Sequence, residues 1–191
     1  MEKSLSNQES LALITQMIHQ TKRNYKKSSF YFLLWGWVVI TGDLGHYYLI
    51  EFTDYPYPHA IWLISIPVWI ASAIYGARQS KQSTVKTHLD SLYSFVWISF
   101  VVPLLVVIFA GSMIGPYYIT GLIMLFAGYA VIITGKLLKF RPTIYGGVVL
   151  WITAVLALYF NDSTQYLIGA SGVALGYLVP GYMLKVKEDN A

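Results

Sequence analysis

The run WVVITGDLGHYYLIEF, residues 37 to 52, sets a carboxylate and an imidazole three positions apart in otherwise apolar sequence. Residues three apart share a helix face, so Asp43 and His46 can meet there, with Tyr47 beside them. A carboxyl and an imidazole so placed can hold a proton, pass it on, or bind a cation or small ligand. They can equally be a structural pair that fixes how one helix packs on its neighbour. Two further acids and a second histidine follow. His46, Glu51, Asp54 and His59 are acceptable ligands for zinc or a related ion, although they follow no recognised ligand spacing.

Which chemistry applies depends on the solvent around these residues. Of 191 residues, 56% are hydrophobic and only 12% charged, against about 25% charged in an ordinary soluble domain. Such a chain cannot cover an aqueous surface with polar groups, and lipid is the natural alternative. There is no cysteine, which excludes disulfides, thiolate metal sites and thiol catalysis. No HExxH, Gly-x-Ser-x-Gly or phosphate-cradling glycine loop occurs. A bis-histidine haem needs two ligands within the membrane, and His46 is the one histidine inside an apolar stretch. No cofactor is therefore expected, and the chain reads as non-enzymatic.

Apolar stretches long enough to cross a bilayer, about 20 residues each, fall at 30–50, 60–77, 92–113, 117–135, 143–160 and 165–184. In lipid each must be helical, because only a helix satisfies its own backbone without water. The expected fold is an all-α polytopic bundle of six transmembrane helices over 30–184, whose short connections make consecutive spans antiparallel neighbours. A cytoplasmic segment, 1–29, precedes it and a tail, 185–191, follows.

Every Lys and Arg falls on one side of this threading, with five acidic residues; the opposite loops carry Glu51, Asp54 and Asp162 and no basic residue. The positive-inside rule then places both termini in the cytoplasm. A pI near 9.1 would suit nucleic acid, but a nucleic-acid surface would not sort its charges by alternate loops, so no nucleic acid is expected. Aromatic residues, among them Tyr48, Phe52, Tyr55, Tyr57, Trp62, Tyr159 and Tyr166, gather at the outer boundary, as an interfacial belt does or as the lining of an outer vestibule for an aromatic or lipid ligand would. Asp43 lies seven residues inside that boundary, roughly 10 Å deep. An ionised carboxylate facing lipid there would cost several kcal/mol, so Asp43 must face the bundle or a watery pocket.

Residues 6–27, SNQESLALITQMIHQTKRNYKK, open with a capping-box pattern, Ser6-x-x-Glu9. Leu11, Leu13, Ile14, Met17 and Ile18 fall on one helical face, and Glu9, Gln16, His19, Lys22 and Arg23 on the other. Such a helix can lie on the cytoplasmic membrane surface or fill a groove on a cytoplasmic protein partner. The stretch from Glu9 to Trp37, ESLALITQMIHQTKRNYKKSSFYFLLWGW, resembles the opening of a group of small six-span bacterial membrane proteins. The resemblance implies the same topology and a bacterial cytoplasmic membrane, and brings no activity with it.

Glycines recur at sevens: Gly121, Gly128 and Gly135, then Gly169 and Gly176, with Gly172 completing a Gly-x-x-x-Gly. Seven residues advance a helix by about two turns, so each series lines one face and lets backbones approach closely. Those faces can serve the bundle or a homo-oligomer contact. The leading functional expectation is a sensor-like or accessory membrane component. A small proton- or cation-linked transporter or channel working through Asp43 and His46 is the alternative.

Overall fold

The protein is described by a computed structural model covering residues 7–82, 88–160 and 162–190. Among the described residues all regular structure is helical. α1 (Asn7–Phe52) is followed by a 3-10 segment (Pro58–Ile64) and α2 (Ser65–Gln82). Next come α3 (His88–Ile114), a 3-10 turn (Pro116–Tyr118), α4 (Ile119–Leu137) and α5 (Arg141–Tyr159). The last helix is α6 (Thr164–Val173), a π-helical turn (Ala174–Leu178) and α7 (Val179–Asp189).

Among the described residues five helical stretches are long and apolar enough to cross a membrane: Pro58–Arg78, Ser91–Gly111, Pro116–Leu137, Arg141–Tyr159 and Thr164–Asp189. They match five of the expected spans to within a few residues. The sixth expectation, 30–50, falls in the second half of α1, which is long enough but diluted by Asp43, His46 and several aromatics. No proline or glycine interrupts α1 before Gly36. One continuous helix of 46 residues therefore covers both the expected amphipathic segment and the first apolar stretch. The amphipathic reading itself concerns side chains 9–27, which lie outside the described residues.

The surface is what lipid would select. Large apolar side chains stand outward along the helices, including Phe95, Phe109 and Met113. The interior is formed mainly by α1, α4, α5 and the last helix, around Phe32, Val131, Leu150 and Leu184. α4 and α5 pack most closely, as short connections predict. α1 instead finds its main neighbour in the last helix, α3 packs on α4, and α2 and α3 do not pack closely on each other. No residue in the membrane-length window of α2 is buried.

Glycines decide how near the helices come. A Cβ at Gly121 would stand 3.0 Å from the Ala154 carbonyl oxygen, one at Gly128 2.9 Å from that of Gly147, and one at Gly135 2.8 Å from the Ile144 nitrogen. This series lines the α4–α5 contact. The series in the last helix does not keep one face: Gly169 meets α1, whereas Gly172 and Gly176 meet Thr153 and Leu150 of α5. Gly172, three residues on, lies about 60° round the helix from Gly169, so the two face different neighbours before the π turn begins at Ala174.

Pro180 explains the π turn. It has no N–H for the Gly176 carbonyl, and its ring would clash with that carbonyl in a regular α-helix. The wider turn relieves the clash, and the Gly176 oxygen rests on Gly146, where any Cβ would collide with it. α1 runs antiparallel to this helix along a ladder of contacts. Ser29 donates from its N–H and hydroxyl to Glu188. Phe32 abuts Gly181 and stacks on Tyr177 at 4.4 Å, and Gly36 accommodates Leu178. The uppermost rung is Asp43 against Gly169.

Candidate functional site

Asp43 and His46 both turn into the bundle, at 2% and 8% exposure. The flanking positions let them do so. Gly42 and Gly45 have no side chains, so the Trp62 ring and Ile61 from the 3-10 segment close over α1; a Cβ would come within 2.8 Å and 2.9 Å of them. The 3-10 segment is thus a cap held on the helix by two glycines.

His46 is engaged on both sides. The Trp62 indole N–H donates to its Nδ1 at 3.0 Å, and the Tyr166 ring lies 4.1 Å away, tilted by 30°. Indole is a donor only, so Nδ1 must present its lone pair and the ring is neutral with its proton on Nε2. Trp62 and Tyr166, read from sequence as interfacial aromatics, instead form the walls around His46. Tyr166 is only 4% exposed, while Tyr48, Tyr57 and Tyr159 stand well out as a belt requires.

Asp43 is not joined to His46 by a hydrogen bond. Its Oδ2 points at Gly169, where a Cβ would stand 2.7 Å from that oxygen and 2.9 Å from the Thr120 methyl. Among the described residues no donor reaches the Asp43 carboxyl. Gln165, one turn before Gly169 and on the same side of α6, is fully buried. Neither its Oε1 nor its Nε2 has a partner among the described residues. Buried polar groups are normally satisfied, so this end of the bundle holds more hydrogen-bonding capacity than its neighbours use.

The other expected members disperse. Tyr47 is half-buried and meets Phe52 edge-on at 6.2 Å. Glu51 is exposed and accepts from the Ser163 hydroxyl at 2.6 Å. Asp54 is exposed, and His59 lies edge-on to Tyr57. Among the described residues no three His, Asp or Glu side chains stand close enough to share a metal ion. The His46, Glu51, Asp54 and His59 set is therefore not assembled: Trp62 occupies a nitrogen of His46, and Ser163 draws Glu51 toward α6.

The site is thus Asp43, His46, Trp62, Thr120, Gln165, Tyr166 and Gly169, of which sequence reasoning assigned only the first two. Gly169 was legible as a packing residue, not as the neighbour of a carboxyl. Gln165 carried one signal, a lone amide at the mouth of an apolar run. Comparisons of the chain with known protein families, curated proteins and solved structures find no match.

Proposed function

We propose that the chain is a six-span, non-enzymatic protein of the bacterial cytoplasmic membrane with both termini inside, a sensor-like or accessory component. In this reading a proton or small cation on Asp43 sets the packing of α1 against α6. The observation that carries it is a carboxyl at 2% exposure, seated on Gly169, with no donor among the described residues. A buried charge without a partner costs several kcal/mol, so the close-packed arrangement suits the neutral acid. Ionisation would call for water or a cation, and α1 or α6 must shift to admit either. That is a two-state element biased by occupancy.

The sixth crossing is assigned to the second half of α1 because residues 29–43 track the last helix from Glu188 to Gly169. If one of these antiparallel neighbours spans the bilayer, so does the other. Residues 6–27 are the proposed docking segment for a cytoplasmic partner.

The transporter reading uses the same carboxyl but needs water to reach it from both faces. A sealed Asp43 favours a switch over a conduit.

In proteoliposomes, infrared titration of the carboxyl C=O band should show one acid that disappears in Asp43→Asn. Spin labels on α1 and α6 should change separation over the same pH range in the native chain and not in that variant. An α1–α6 distance independent of pH, or one that still responds in Asp43→Asn, would overturn the proposal. Proton flux abolished by Asp43→Asn would move the conclusion to the transporter.

A further inference from the structure

A lateral groove of about 730 Å³ runs between α1, the α2 region and α7. Its lining changes along its length. At one end lie Ser29, Lys185 and Asp189; beyond them the α1 wall is Leu33, Trp37 and Val38. From Ser29 to Thr41 at the far end is roughly 18 Å of helix, a little over half of the ~30 Å hydrocarbon core. The groove therefore covers one leaflet, with its charges at headgroup depth.

From this geometry we infer that the groove binds one glycerophospholipid with a primary-amine headgroup. One of its two acyl chains lies along Leu33 and Trp37, its phosphate meets Lys185, and its ammonium meets Asp189. The inference needs α1 and α7 to lie in a membrane and does not depend on the role of Asp43.

Charge complementarity selects the headgroup. Lys185 and Asp189 are four apart and share a helix face, yet their side chains make no ion pair or hydrogen bond among the described residues. Their order, cation before acid, is the weaker arrangement for pairing within a helix. Glu188 is already engaged: Ser29 donates to it twice, which pins the polar end of α7 to α1. Among the described residues one ammonium stands beside two carboxylates, which disfavours a purely anionic headgroup and suits a zwitterion that brings both charges. The wall is firm, because the Trp37 indole N–H donates to the Tyr182 hydroxyl at 3.1 Å. Both rings remain about half exposed.

Two measurements test this. The native chain is extracted in mild detergent from vesicles of equimolar ethanolamine- and glycerol-headgroup phospholipid, and retained lipid is counted by native mass spectrometry. One ethanolamine lipid should remain, preferred by roughly fivefold or more, the scale of one added interfacial charge contact. Asp189→Asn should bring the two lipids to parity, and Lys185→Ala should lower retention of both. Separately, lipids brominated on the acyl chain should quench Trp37, isolated as native minus Trp37→Phe, more strongly with the ethanolamine headgroup. Equal retention of both lipids by the native chain, a preference untouched by Asp189→Asn, or quenching indifferent to headgroup would overturn the inference.

Discussion

Asp43 and Gly169 are in direct contact across the α1–α6 interface: the space a side chain at 169 would fill is taken by the carboxyl, with Oδ2 only 2.7 Å from where a Cβ would stand. The glycine is the seat of the acid. Each residue constrains what the other can become.

Replacing Gly169 by alanine should therefore lower thermal stability by about 1–3 kcal/mol, the usual cost of overpacking. The loss should shrink when Asp43 is cut back to alanine as well. A double-mutant cycle of unfolding in detergent reads the coupling, and strict additivity would mean the two side chains do not compete for one space.

Trp62→Phe keeps a ring over Gly42 and removes the donor to His46. An unpaired buried acceptor costs about 1–3 kcal/mol, so stability should fall by that order. Nitrogen NMR of the native chain should find His46 neutral and protonated at Nε2. A proton on Nδ1 in the native chain would rule out the Trp62 hydrogen bond.

Gly146→Ala should be among the most disruptive small changes in the chain, because its Cβ would run into the Gly176 carbonyl and lie 2.7 Å from Pro180. Gly76→Ala, where the nearest atom is the Tyr31 hydroxyl at 3.3 Å, should be mild. Melting temperatures of the two variants give the comparison, and similar values would show that the α5 contact with the π turn is loose.

Lys139 ends α4 with φ at 49°, while the Phe140 N–H donates back to the Gly135 carbonyl at 2.9 Å. This is a helix stop that usually carries glycine, and a side chain in that conformation costs about 1 kcal/mol. Lys139→Gly should raise stability by a comparable amount. An unchanged or lower melting temperature would show that the lysine compensates elsewhere.

With no native cysteine, single engineered thiols report sidedness cleanly. Tyr55→Cys should label from outside intact cells and Lys139→Cys only after permeabilisation. Labelling of both from one side would refute the proposed threading.

Much of the fold was legible because a membrane-length helix needs a run of apolar residues that can be read directly from the sequence. The helices after α1 begin and end close to the limits set by apolar length alone. Neighbour identity was less legible, since periodicity tells which face a residue occupies and not which helix meets it. Hence Gly121, Gly128 and Gly135 were read as one packing face, and they are one, while Gly169 meets Asp43 of α1 and Gly176 meets Leu150 of α5. The same limit applies at the site. The Asp43–His46 spacing put both residues on one helix face, but His46 takes its partner from a 3-10 segment and Asp43 seats on the last helix.

Between Asn7 and Asp43 the backbone of α1 contains two glycines, Gly36 and Gly42, and no proline, over a rise of roughly 54 Å. Both are closed by neighbouring side chains, Gly36 by Leu178 and Gly42 by Trp62, so neither is an open joint. If α1 turns as one body, any roll of the carboxyl off its glycine is carried to the opposite end of the same helix, near Asn7.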